Sequence, residues 1–282
     1  MTLTKDKEII LRGYNPYPQI YKPSPKLVSL VTKLNKLDIA KKRNRVHTME
    51  LDEALYDASA FLDCYYNLHN IPLITNDTGA TVVTNIHPYD LPLYEGEETD
   101  NIFSSSIIED IISTPKPSIN YIGINLAPTI TEQTSTSYVH EITHSQLDHQ
   151  IGVIKEFYHA EILSMFNELF HASILDSEEN ILRLNDSRRL YEMKILTQSL
   201  LHPSAFTRED LLLDSQYLIS DLKAYNLFIK FYYGNETLKE EIISDIQSVF
   251  DGYMTVEDLL DKYNITLANS IDNKKLLKYF NR

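Results

Sequence analysis

The chain has 282 residues, and its 43% hydrophobic content is enough to build a buried core, which excludes a wholly disordered protein. Its 26 Lys and Arg residues stand against 40 Asp and Glu residues, so the formal net charge at pH 7 is −14. A surface of that average charge repels the phosphates of nucleic acids and the headgroups of anionic membranes. We therefore expect neither nucleic acid nor a membrane as a partner.

Cysteine content and the length of apolar segments indicate the compartment. The sequence has one cysteine, Cys64, and so cannot form a disulfide within the chain. The first residues lack the apolar run of a secretory signal peptide, and no run of about 18 or more apolar residues is long enough to cross a bilayer. The expectation is a cytoplasmic protein, with its oligomeric state left open.

The first part of the chain predicts an arm followed by two helices. Residues 1–24 contain several prolines and show no hydrophobic periodicity, which favours irregular structure. Apolar residues then recur at helical spacing, which predicts one helix over about 25–45 and a second over about 48–70. We expect this pair to form a hairpin or lid, and we assign residues 1–75 to an N-terminal arm and helical hairpin.

The middle of the chain changes to strand patterns. Thr81–Ile86 and Pro117–Leu126 favour strands, with a short helix over Ser104–Ser113 between them. From about residue 134 the pattern is helical again, with helices predicted near 134–149, 154–175, 177–200, 208–233, 236–250 and 255–263. The predicted fold is therefore mainly α, of the α+β type, with a small β-sheet before a C-terminal helical bundle.

One segment carries a recognisable chemical pattern, His140-Glu141-Ile142-Thr143-His144. Residues four apart share one face of a helix, so His140 and His144 can present two imidazoles to a single tetrahedral Zn²⁺. Glu141 follows at about 100° round the helix, where it can hold a water as a general base without binding the metal. The alternative is a solvated helix that contains two histidines by chance.

A catalytic zinc needs a third protein ligand and an open position for water. The next predicted helix offers Glu161, Ser164, Glu168 and His171 on one polar face. A soluble helix has a solvated polar face in any case, so the face gains weight only from its place directly after the histidines. Glu161 is the best-placed ligand and Glu168 the second choice, while Ser164 and Glu168 are candidates to orient the imidazoles.

These residues resemble the oligoendopeptidase F and thimet oligopeptidase group of zinc metallopeptidases, of the gluzincin type. His140–His144 is followed by Ala160-Glu161-Ile-Leu-Ser164-Met-Phe-Asn167-Glu168, which is similar to the group's second motif, Ala-Glu-x-x-Ser with Asn-Glu after it. The likeness covers about residues 76–265 and is specific only at 140–168. It implies a zincin-like metallopeptidase domain over residues 76–282, in which the strand at residues 120–126 is an edge strand that pairs with substrate.

The resemblance also implies roles for individual residues. One Zn²⁺ would be held by His140, His144 and Glu161, with Glu141 as the general base. Tyr217 would stabilise the oxyanion of the transition state, and His202 and Tyr225 are weaker candidates for that donor.

The sequence departs from the group in four respects. Asp210, Leu213 and Asp214 stand where the group has a histidine and a paired tyrosine upstream of its C-terminal tyrosine. Thr143 stands where the group usually has glycine, and the gap between His144 and Glu161 is shorter. The chain is also truncated relative to the group, so the helical half that restricts those enzymes' substrates is missing or replaced by residues 1–75.

The function that follows is hydrolysis of peptide bonds, in oligopeptides, by a zinc-activated water. Two alternatives remain: a protease dedicated to one protein partner, and a non-catalytic zinc- or peptide-binding protein on a zincin scaffold, for which a fourth ligand such as His159 would close the site. A site of two histidines and one carboxylate also accepts Mn²⁺ or Co²⁺. The substrate and the cleavage preference are left open.

Overall fold

The computed structural model describes residues 20–34, 36, 48–68, 80–84, 102–107, 119–124, 132–148, 157–175, 180–271 and 274–282. Most of the described residues are helical, which confirms the mainly α prediction. The helices are α1 (Pro25–Leu34), α2 (Leu51–Tyr66), α3 (Glu132–Asp148), α4 (Phe157–Leu175), α5 (Asn180–Leu201), α6 (Arg208–Tyr232), α7 (Glu236–Phe250), α8 (Val256–Lys262), α9 (Leu267–Ile271) and α10 (Lys274–Phe280).

Side-chain caps fix where three C-terminal helices begin. At the start of α6, Thr207 Oγ1 accepts a hydrogen bond from the Asp210 backbone N–H, and the Asp210 carboxylate accepts one from the Thr207 N–H, at 3.1 and 2.9 Å. Thr255 and Asp258 form the same reciprocal pair at α8, and Asn235 caps α7. Such caps satisfy backbone N–H groups that a helix start leaves unpaired. The starts predicted at residues 208, 236 and 255 therefore lie within one residue of the observed ones.

The N-terminal helices are shorter than predicted where the structure describes them. Helix α1 ends at Leu34, and residues 35 and 37–45 of the predicted first helix lie outside the described residues, as do residues 1–19 of the predicted arm. Helix α2 ends at Tyr66, where Asn67 turns the backbone into the left-handed region with φ 49°. Helix α1 packs against α5 and α9, whereas α2 packs against α3 and α7.

In the part of the chain that the structure describes, three strands precede α3: β1 (Ala80–Thr84), β2 (Ile102–Ile107) and β3 (Ile119–Ile124). Strand β3 pairs in parallel with β1 and antiparallel with β2, which gives the order β1-β3-β2, and β2 and β3 lie beside α3. The predicted short helix over residues 104–113 is wrong for residues 104–107, because serines have little helix preference and this run pairs with β3. The predicted edge strand is also wrong, since β3 is flanked on both sides.

Helix α4 lies at the centre of the core. It packs against both α3 and α6, and every side chain from residue 161 to residue 172 is buried. Phe166, Phe170, Phe228 and Phe231 form an aromatic cluster between α4 and α6, with the rings of Phe170 and Phe231 at 4.5 Å. Burial of each such ring contributes about 1.5–3 kcal/mol. Both faces of α4 are thus covered by other helices.

Within the described residues, none of the helices combines the length and the apolar character required to cross a membrane.

Candidate metal centre

The polar face of α4 is buried. Glu161, Ser164, Glu168 and His171 each expose 5% or less of their surface. Polar groups that are removed from water are costly unless other protein groups pair with them. The interpretation of these four residues as a solvated face is therefore wrong. The groups that pair with them show what the site consists of.

His140 lies between two of these carboxylates. Its Nδ1 atom is 3.1 Å from Oε2 of Glu168, and its Nε2 atom is 3.5 Å from Oε2 of Glu161. Burial lowers the pKa of His140, but the contacts with the Glu161 and Glu168 carboxylates and the charge of Glu141 outweigh it and raise that pKa to about 10. Each ring nitrogen of His140 thus faces a different carboxylate, two helical turns apart on α4.

The distance between His140 Nε2 and Glu161 Oε2 fits a shared metal ion. Two ligand atoms bound at about 2.0–2.1 Å and separated by the tetrahedral angle lie about 3.3–3.4 Å apart. A direct N–H···O hydrogen bond has a typical length of about 2.9 Å. The observed 3.5 Å is closer to the spacing of two ligands of one ion than to that of a hydrogen-bonded pair. These two residues fit a divalent cation.

Two arginines of α5 also bind Glu168. Nη2 of Arg188 is 2.7 Å from Oε1 of Glu168, and Nη2 of Arg189 is 2.6 Å from Oε2. Burial raises the pKa of Glu168, but the charges of Arg189, Arg188 and His140 hold it well below its usual range. Glu168 is therefore an anion that accepts the Nδ1–H of His140. This contact orients the ring and leaves Nε2 for the Glu161 side.

His144 and Glu141 complete the motif along α3. The backbone of His144 follows His140 by one helical turn, but its side chain is outside the described residues. Among the side chains that the structure describes, no three His, Cys, Asp or Glu residues lie close enough together to hold a metal ion. The three-ligand group with His144 therefore stays a prediction. Glu141 is half-buried next to His140, on which its charge acts.

The other predicted residues differ in burial and in hydrogen-bond partners. The hydroxyl of Ser164 is fully buried and has no hydrogen-bond partner among the described groups, so it does not orient His140. Tyr217 is partly buried on α6. Tyr225 is unsuited to the oxyanion role because its buried hydroxyl donates to Asp186 at 2.9 Å. His202 is exposed at the end of α5.

The residue that departs from the peptidase group, Thr143, has a structural role. Its Oγ1 donates to the Val139 carbonyl at 2.7 Å and accepts from Nδ2 of Asn167 at 3.2 Å. Oδ1 of Asn167 in turn accepts from the Tyr66 hydroxyl at 2.6 Å. This chain of hydrogen bonds joins α2, α4 and α3 beside His140, and a glycine at position 143 would interrupt it.

Sequence reasoning missed Arg188, Arg189 and Asp221. Asp221 on α6 is buried, and neither of its carboxylate oxygens has a hydrogen-bond partner among the described residues. Burial and the charge of Glu192 raise its pKa well above the usual range, against the opposing charge of Arg189. An aspartate within the apolar pattern of a predicted helix was the available signal. The adjacent arginines gave none, because charged pairs are common on solvated helices.

Comparisons with known proteins give no relative. No protein-family model, no curated protein and no solved structure matches the chain. The function must therefore be inferred from the motif and from the contacts of His140.

Proposed function

We propose that this protein is a zinc-dependent metallopeptidase that hydrolyses peptide bonds in oligopeptides. The observation that supports it best is the placement of His140, the first histidine of a His-Glu-x-x-His helix. Its Nε2 faces Glu161 at the spacing of two metal ligands, and its Nδ1 is held by Glu168. Two buried carboxylates that face one imidazole place negative charge where a bound cation would be neutralised.

In this proposal His140, His144 and Glu161 hold one Zn²⁺ and leave a fourth position open for water. When bound, the ion supplies Lewis-acid activation of that water and of the scissile carbonyl. Glu141 is the general base, which takes the proton of the water and passes it to the leaving amine. The hydroxyl of Tyr217 donates to the oxyanion as it develops. Glu168 keeps the His140 ring in the orientation and tautomer that binding requires.

The sequence resemblance supports the same reaction. The residues at 140–144 and 160–168 are similar to both motifs of the oligoendopeptidase F and thimet oligopeptidase group. The proposal includes that group's architecture, a zincin-like domain with a small sheet before α3 and a helical bundle after it, in a cytoplasmic protein. It does not include pairing of β3 with substrate, since β3 is already paired on both sides.

The test combines metal analysis with peptide digestion. Wild type, Glu141→Gln and the control Glu240→Gln, an exposed glutamate of α7, would be loaded with Zn²⁺ and incubated with a random peptide library. We expect one zinc ion per chain in all three proteins, and cleavage by wild type and by the control but not by Glu141→Gln.

Two results would contradict the proposal. Wild-type protein that binds no zinc would remove the proposed metal site. Wild type that binds zinc without cleaving any library peptide would favour a protease dedicated to one protein partner, or a non-catalytic zinc protein.

A further inference from the structure

The arginine pair, Arg188 and Arg189, contacts both carboxylate oxygens of Glu168, and the oxygen that Arg189 binds also faces His140. We propose that these two arginines are positioning residues, which hold Glu168 fixed against His140 and thereby set the affinity of the site for a divalent cation. The inference rests on the proposed function, because it assumes that Nε2 of His140 binds the ion. It concerns residues that lie outside the motif.

The contacts form a continuous path from the arginine pair to the metal side of His140. Both oxygens of Glu168 are used: Oε1 accepts from Arg188 at 2.7 Å, and Oε2 accepts from Arg189 at 2.6 Å while lying 3.1 Å from His140 Nδ1. Nε2 of the same ring faces Glu161. The two arginines therefore act on the cation site through Glu168 without touching a ligand.

The physical role of the arginine pair follows from the burial of Glu168. Its side chain is 1% exposed, and a buried carboxylate that loses its charge partners withdraws from its contacts. Glu168 would then no longer hold Nδ1 of His140, and the ring would lose the contact that points its Nε2 towards Glu161.

The two arginines differ in burial, and this predicts unequal effects. The Arg189 side chain is 9% exposed, and its Nη1 atom lies 3.0 Å from Oε2 of Glu192. The Arg188 side chain is 40% exposed. Water can replace much of what Arg188 contributes, but little of what Arg189 contributes. Arg189 should therefore have the larger influence on metal affinity.

The experiment measures the dissociation constant of Zn²⁺ by competition with a chromogenic chelator. The proteins are wild type, Arg189→Met, Arg189→Lys, Arg188→Met and the control Arg183→Met. Arg183 lies on the same helix but donates to the backbone carbonyl of Arg282. We expect Arg189→Met to bind Zn²⁺ about 10- to 100-fold more weakly, the range typical of groups that orient a ligand. Arg188→Met should lose less, Arg189→Lys should recover part of the loss, and the control should match wild type.

Two further measurements separate positioning from a general loss of structure. Thermal unfolding of the metal-free variants reports stability, and the visible spectrum of the Co²⁺ forms reports the ligand geometry. We expect the Co²⁺ spectrum of Arg189→Met to change and that of Arg183→Met to stay as in wild type. If Arg189→Met does not fold, the half-exposed Arg188→Met carries the test, and unchanged zinc affinity in it overturns the inference.

The outcomes distinguish this inference from the proposed function. Wild-type zinc affinity in a folded Arg189→Met overturns the inference alone, and the peptidase proposal stands if wild type cleaves peptides. Weaker binding by Arg189→Met, together with a wild type that cleaves nothing, supports the inference and overturns the peptidase. A wild type that binds no zinc overturns both.

Discussion

Oδ2 of Asp57 lies 3.0 Å from Nε2 of His171 and joins α2 to α4. The same oxygen accepts a hydrogen bond of 2.6 Å from the Ser135 hydroxyl on α3. One carboxylate thus ties an N-terminal helix to the two helices that carry His140 and Glu161. Burial raises the pKa of Asp57, but the hydrogen bonds from His171 and Ser135 lower it by more, so the net shift is downward.

Asp57→Asn should lower the free energy of unfolding by about 1–2 kcal/mol at pH 7, since about a third of the side chain is exposed and solvent weakens the pair. The folded-state pKa of Asp57 lies below the unfolded value of about 3.9. Its stabilisation is therefore present above about pH 3.9 and is lost as the pH falls through the folded-state pKa. Urea unfolding at pH 7 and pH 3.5 should show the difference from wild type shrinking at the lower pH.

The control for this change is Glu53→Gln, an exposed carboxylate on the same helix. It should leave the urea midpoint unchanged at both pH values. A midpoint for Asp57→Asn equal to that of wild type at pH 7 would show that the carboxylate adds no stability.

Tyr66→Phe should destabilise the protein by about 1–3 kcal/mol. The substitution removes the hydroxyl that donates to Asn167, and it leaves a buried amide oxygen without that partner. Tyr233→Phe is the matched control, because the Tyr233 ring is 45% exposed. Denaturant unfolding of the two variants measures the difference, and equal midpoints would contradict the prediction.

Asp221→Asn should become more stable relative to wild type as the pH rises. The pKa of Asp221 is higher in the folded protein than in the unfolded protein. The stability that its neutral form contributes is therefore fully present below the unfolded pKa of about 3.9, and it is lost as the pH rises through the folded-state pKa. The variant keeps the shape and cannot ionise. Urea unfolding of metal-free protein at pH 4.5 and pH 7.5 should therefore favour the variant only at the higher pH.

The exposed Asp251→Asn serves as the reference for Asp221 and should show no such trend. A pH dependence of Asp221→Asn that parallels wild type would mean that Asp221 is ionised in the folded protein at neutral pH.

Glu168→Gln should weaken zinc binding by about 10- to 100-fold, because an amide is a weaker acceptor for the Nδ1–H of His140 than a carboxylate. Glu192→Gln is the control, since Glu192 contacts Arg189 without contacting His140. Chelator competition measures both dissociation constants. Equal zinc affinities in the two variants would contradict an orienting role for Glu168.

Hydrophobic periodicity located the helices well but said little about what covers them. The pattern over residues 208–233 required one buried face, and the Thr207 and Asp210 pair marked where α6 begins. The helices over residues 267–271 and 274–280 were not predicted, because each has only about two turns and too few residues for a periodic signal.

The candidate site likewise has a part that the sequence predicts and a part that only the fold reveals. The spacing of His140 and Glu141 within one helix is local, and the sequence carries it directly. The burial of Glu161 and Glu168 depends on α3, α5 and α6, which come together only in the folded chain. The arginine pair reaches Glu168 across 20 and 21 positions of sequence, and no local pattern indicates such a contact.

The hydrogen bonds from Tyr66 through Asn167 and Thr143 end at the carbonyl of Val139, one residue before the first histidine of the motif. A shortened protein that starts after residue 75 would lack the first donor of this series and the helix that delivers it. Such a fragment would keep the whole motif in its sequence, yet expose to water the face of α3 that α2 covers.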